Sequence, residues 1–143
     1  MSKKLFFTVG LVALTFSLFA QSKTPSAGTI HKIVFQLSSE DTLVHKALMR
    51  QLNNVLTAAP NAKMEVVCHG PGINLLVSGK TVVLDKIQLL RAKGVTFEAC
   101  ENTLKEKNIP KDHIIAGAGF VPSALVEIVT RQEEGWSYIK AGF

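Results

Sequence analysis

The sequence predicts an α/β domain built on a parallel sheet with helices on both faces. Three observations carry that expectation. Short apolar, β-branched runs recur five times between residue 30 and the last residues. Stretches with apolar residues three and four apart separate them, and glycine or proline marks most of the junctions. Strict alternation of strand and helix is what parallel strands require, because each return to the same edge of the sheet needs a crossover.

In chain order, residues 30–37, IHKIVFQL, have the apolar character of a strand buried on both faces. Residues 38–59 follow with a Ser-x-x-Asp start at Ser38 and Asp41. Val44, Leu48, Leu52, Val55 and Ala59 then fall at helical spacing, so this is the clearest helix in the chain. Pro60 closes it. Residues 63–70, KMEVVCHG, form a second strand that stops at Gly70, and 73–77 a short helical turn broken at Ser78 and Gly79. A helix over 81–93 places Val83, Ile87 and Leu90 on one face and takes Gly94 as its left-handed cap. VTFEA, residues 95–99, is a third strand ended by Cys100, and 101–108 is a short helix. GAGFV, residues 117–121, is a fourth strand. Pro122 opens a helix at its first turn, where a missing amide hydrogen costs least, and residues 136–142 make a fifth strand.

The first 29 residues stand apart. Lys3 and Lys4 precede a mostly apolar run over 5–20, and polar residues follow, the layout of a secretory signal peptide. The run falls short of the roughly 20 apolar residues that a membrane span needs. Cleavage after Ala20 is expected, leaving 21–29 as a flexible lead-in and 30–143 as one domain, periplasmic or secreted and free of the membrane. Gln21 rather than cysteine follows the expected cut, which leaves no thiol for an N-terminal diacyl anchor. The formal net charge of +5 falls by two with Lys3 and Lys4. The other basic residues are scattered and few aromatic rings accompany them, so no nucleic-acid partner is expected.

Ligands of open parallel sheets bind outside the carboxyl ends of the strands. Cys100, His69, Gly70, Pro71 and Gly72 all fall on that edge. Cys100 has two readings. One is a small buried hydrophobe at a strand end. The other is a reactive thiol, whose anion the amide hydrogens opening the next helix would stabilise, with Glu101 working against it. Cys68 reads as a packed core residue. A Cys68–Cys100 disulfide remains an alternative if their strands are neighbours, since an exported chain meets an oxidising compartment. Strand alternation sends Cys68 and His69 to opposite faces. His69 either assists the thiolate or substrate, or bonds a loop carbonyl. His31, His45 and His113 are scattered without metal-ligand spacing, so no metal is expected. HGPG and GAG match neither a Walker nor a dinucleotide loop, so no cofactor is expected. HGPG either shapes a pocket wall or is only a tight turn, with Gly70 and Gly72 supplying backbone freedom. Trp136, Tyr138, Ile139, Phe120 and Phe143 form an aromatic and apolar group close in sequence, suited to a core or to a subunit contact.

Two stretches carry a family resemblance. Gly-Val-x-Phe-x-x-Cys-x-Asn-Thr-Leu over 94–104, which contains Asn102, is paired with Gln-x-x-Gly-Trp-x-Tyr-Ile over 132–139, and HGPGINLL follows the second strand. With these motifs the chain resembles the DsrE/DsrF-like family, which includes sulfur-relay proteins. The resemblance implies a three-layer α/β/α fold with a five-stranded parallel sheet, assembled as homotrimers or hexamers. It also implies that Cys100 holds a persulfide and exchanges its sulfur with a donor or acceptor protein. His69, Gly70, Pro71, Gly72 and Asn102 would line that site. The competing expectation is a non-catalytic assembly or binding module whose thiol is inert or bridged. A thioredoxin-like redox route is disfavoured, because the chain has no Cys-x-x-Cys pair.

Overall fold

The computed structural model describes residues 28–142. The expected signal peptide at 1–20, residues 21–27 of the lead-in, and Phe143 lie outside the described residues. The elements are β1 (Lys32–Leu37), α1 (Thr42–Ala58), β2 (Lys63–Cys68), α2 (Leu84–Ala92), β3 (Thr96–Cys100), α3 (Glu101–Glu106), β4 (Gly119–Val121), α4 (Ala124–Glu133) and β5 (Ser137–Lys140), with 3-10 turns at Gly70–Leu75 and Lys111–His113. All five strands are parallel, in the order β4-β3-β2-β1-β5. Among the described residues, no helix is long and apolar enough to cross a membrane.

Pleating divides the strand residues between two cores. Phe35, Leu37, Met64, Val66, Cys68, Phe97 and Ala99 pack in one cluster with Leu48, Met49 and Leu52 of α1 and Ile87 and Leu90 of α2. Val34, Val67, Cys100 and Val121 face the other way, onto Ala124 and Ile128 of α4, with Trp136 against them. The expected layers are therefore present, with α1 and α2 on one side and α4 on the other. The second core is the smaller because one helix alone serves it across several strands.

Local chemistry explains where the elements start. Asp41, not Ser38, caps α1: its carboxylate accepts the Leu43 amide at 2.8 Å, and the Ser39 hydroxyl accepts the Asp41 amide at 3.2 Å. The helical turn expected from residue 73 begins three residues earlier, because Pro71 near its start supplies a preset φ. Gly70 needs its positive φ of 52°. Gly72 is required for a different reason than backbone freedom, since a Cβ there would lie 2.3 Å from the Leu37 carbonyl oxygen.

The aromatic residues near the C-terminus do not form one group. The α4 crossover passes from β4 at one edge of the sheet to β5 at the other, so Phe120 and Tyr138 end on opposite edges. Phe120 lies under the Lys111 ammonium and Trp136 under the Arg131 guanidinium, at 4.9 and 5.0 Å.

A buried charge pins the far end of α4. Glu65 is 2% exposed, and its Oε2 accepts from Arg131 Nε and Nη2 at 2.9 and 2.8 Å. Arg131 also meets Glu127 and Glu134 at 2.9 and 3.0 Å. One guanidinium thus serves three carboxylates, and Glu65 Oε1 has no partner. Burial raises the Glu65 carboxyl above its ordinary range, although Arg131 pulls it down. Removing only the cation leaves a buried carboxylate uncompensated. Arg131→Met is expected to cost about 3 kcal/mol in urea unfolding, and Glu65→Leu combined with Arg131→Met to recover most of it. Equal losses in the two variants would contradict this.

Candidate functional site

Cys100 is the last residue of β3 and the N-cap of α3, so no loop separates strand from helix. Its Sγ faces α4 and accepts the amide hydrogen of Ala124, the first residue of α4, at 3.4 Å. The amides of Thr103 and Asn102 and the Thr103 hydroxyl also act on the sulfur. Burial opposes ionisation, since the residue is 4% exposed, and is the largest single influence on the thiol. The four donors together outweigh it, and Cys100 titrates below the ordinary cysteine value. Glu101 is not among the groups that act on the thiol, and its carboxylate is paired with Lys111.

Cys68 shows what the donors achieve. It ends the neighbouring strand in register with Ala99, so the neighbour condition for a disulfide is met. The pleat nevertheless turns the two thiols to opposite faces, and both are free. Cys68 is wholly buried, and desolvation, with Glu98 adding to it, pushes its thiol far up. The bridged alternative is therefore excluded in this structure.

His69 continues β2 in extended conformation, with φ −146° and ψ 169°. It turns to the α4 side, where the Gln36 amide meets its Nε2 at 2.8 Å. Tyr138 donates its hydroxyl hydrogen to Oε1 of the same Gln36, which orients the amide with its NH2 toward the ring. His69 Nε2 then accepts, and Nδ1 carries the proton. Burial lowers its pKa, so the ring is neutral at pH 7 and its part in the site is orientation rather than positive charge.

The expected site residues are only partly assembled. Thr103 links two of them: its hydroxyl accepts the Gly70 amide at 3.0 Å and also acts on Cys100. Gly70, Pro71 and Gly72 form the opening of a 3-10 turn, with Pro71 exposed and Gly72 buried against β1. Asn102 contributes only its backbone amide, which is shared between the Cys100 sulfur and the Pro122 carbonyl, the latter at 3.3 Å, while its side chain is exposed. Three contributors were not anticipated: Thr103, Gln36 and Ala124. Gln36 alone carried a signal, as the polar residue near the end of an apolar strand. Among the described residues, no group of three His, Cys, Asp or Glu could hold a metal.

Glu98 precedes Cys100 by two residues on the same face, with its carboxylate against Gly119. Burial first, then the charges of Glu65 and Glu127, raise it from 4.5 to about 7. A raised carboxyl favours the protonated fold, so its stabilising effect is full below pH 4.5 and lost as pH climbs through about 7. Glu98→Gln is expected to match the wild-type Tm near about pH 4 and exceed it by roughly a few degrees near about pH 8.5. A pH-independent difference in thermal unfolding would contradict this.

A three-layer α/β domain that ends a central strand on a donor-ringed thiol defines the class. The match to a family model places it further: residues 18–141 fit the DsrE/DsrF-like family, and the chain belongs to that family. Among solved structures it is similar to MTH1491, a protein of unknown function from Methanobacterium thermoautotrophicum. The two share 30% identity at a TM-score of 0.74, over 77% of this chain and 98% of the other. No curated protein matches the chain.

Proposed function

We propose that the protein binds and transfers sulfane sulfur as a persulfide on Cys100. The observation that carries this reading is the set of hydrogen-bond donors around Sγ, which lowers the thiol's pKa without a metal ligand or a positive side chain among them. In the loading step the Cys100 thiolate attacks the outer sulfur of a donor persulfide, R–S–SH. A new S–S bond forms, the donor's S–S bond breaks, and R–S⁻ leaves while the outer sulfur keeps its hydrogen. Unloading is the same exchange with an acceptor thiolate, and Cys100 is then the leaving group. A thiol of lowered pKa leaves faster, so the same amides serve both directions. Neither step needs an external oxidant or reductant.

The reading extends to export and assembly. Lys3 and Lys4 before the apolar run at 5–20 support an exported chain, periplasmic or secreted. Leu125, Val126 and Val129 leave α4 with an exposed apolar face, and Tyr138 and Ile139 are exposed on the edge strand β5. Both features support a homo-oligomer, the trimer or hexamer that the resemblance implies, with the sulfur donor or acceptor as a further protein partner.

One observation favours a second reading, a non-catalytic assembly module with an inert thiol. Cys100 is 4% exposed among Val34, Val67, Val121 and Ile128, so a donor reaches it only if the start of α4 yields. Exposure of the folded protein to a small-molecule persulfide separates the two. A mass gain of one sulfur, abolished by Cys100→Ser and kept in Cys68→Ser, is expected; no gain would leave the module reading. Native alkylation of Thr103→Val at neutral pH is expected to be about ten-fold slower than wild type, with Thr103→Ser restoring the rate. An unchanged rate in the valine variant would remove Thr103 from the site.

A further inference from the structure

On the far side of the sheet from Cys100, α1 and α2 leave a groove of about 480 Å³ between them. From α1 it is lined by Lys46, Met49, Arg50 and Asn53, spaced as i, i+3, i+4 and i+7. From α2 and its C-cap residue Lys93 it is lined by Lys86, Leu89, Leu90 and Lys93, with the same spacing. Such spacing puts each set on one stripe of its helix. Lys93 Nζ donates to Asn53 Oδ1 at 3.0 Å, which sets those two positions together. Lys46 and Lys86, seven residues earlier in each helix, then lie toward the opposite end.

Two features of this groove ask for a ligand. Four cations line it, no carboxylate does, and none of the four is in an ion pair among the described residues. Lys46 and Arg50 repel as an i, i+4 pair of like charge, so the free protein gains nothing by gathering them here. The walls between the cations are apolar: Met49 and Leu90 are buried at the base, while Leu89 stands 65% exposed on the rim. An inorganic anion would leave that leucine in water. A neutral apolar body would leave the cations without counter-charge.

We propose that the α1–α2 groove binds a small organic anion with an apolar body. Its anionic group sits at the end formed by Lys46, Lys86 and Arg50, and its apolar part lies along Met49, Leu89 and Leu90. Each stripe spans seven residues, which sets the length of the bound body at about 10 Å. The volume falls in the range of small-molecule sites. This site is independent of sulfur chemistry, since the sheet stands between it and Cys100.

Octyl phosphate is the probe, with inorganic phosphate and octyl glucoside as its anionic and apolar halves, each titrated into the full chain by calorimetry and followed by amide NMR shifts. Octyl phosphate is expected to bind one site, with shifts confined to α1 and α2, at least about ten-fold tighter than either half. Arg50→Glu combined with Lys86→Glu is expected to weaken it by about ten-fold or more. Leu89→Asp, at an exposed position that leaves the core intact, is expected to do the same and keeps the test valid should the double variant fail to fold. Undiminished binding in the variants, or phosphate binding as tightly as octyl phosphate, would overturn the proposal. So would no binding to the wild type, accompanied by a change of assembly mass in the Lys86→Glu variant, which would make the groove a subunit contact.

Discussion

The rest of the structure depends on the convergence of two chain segments on one sulfur. The opening of α3 and the opening of α4 both direct amide hydrogens at Cys100 Sγ. Each is there for a topological reason. All five strands are parallel, so every strand ends on one edge, and β4 beside β3 delivers the start of α4 to the strand that ends in Cys100. The direct passage from β3 into α3 supplies the other donors. Cys68 ends the next strand yet gains none of this, because its side chain points into the larger core. One step in the pleat separates an ionisable thiol from an inert one.

The helix that donates to the sulfur is also the one that buries it. Ala124 and Ile128 of α4 close over Cys100 together with Val34, Val67 and Val121. Further along the same helix and its connection, Arg131 and Trp136 hold it to the sheet through Glu65 and a stacked guanidinium. Fixing the far end of α4 by a buried charge, rather than by more apolar area, keeps the near end in register with the thiol while its outer face stays exposed. Thr103 ties the third participant in, since its hydroxyl holds the Gly70 turn against α3. Tyr138, Gln36 and His69 extend the polar edge across β5, β1 and β2.

Much of this architecture is legible in the amino-acid order. Apolar spacing at Val44, Leu48 and Leu52 marks α1, and the β-branched runs mark the strands, because both periodicities are local consequences of burial. Cys100 is legible as a candidate for the same reason: a thiol where a strand meets a helix must lie at the sheet edge. The contribution of Ala124 is not legible, since a backbone amide leaves no trace in residue identity and its approach depends on strand order. Thr103 reads as an ordinary helix residue until Gly70 is seen beside it. The apolar residues near the C-terminus read as one cluster because they are close in sequence. The crossover of α4 from edge to edge then carries Phe120 and Tyr138 apart. Gly72 is a similar case, for its need is set by a carbonyl of β1 and not by its own backbone angle.

Ultraviolet titration of the Cys100 thiolate in the folded Cys68→Ser protein tests the central claim most directly. The account predicts ionisation below the ordinary cysteine value of about 8.5, reverting to that value on unfolding. Titration of the folded thiol at or above the unfolded value would show that burial prevails over the converging amides, and the account would fail.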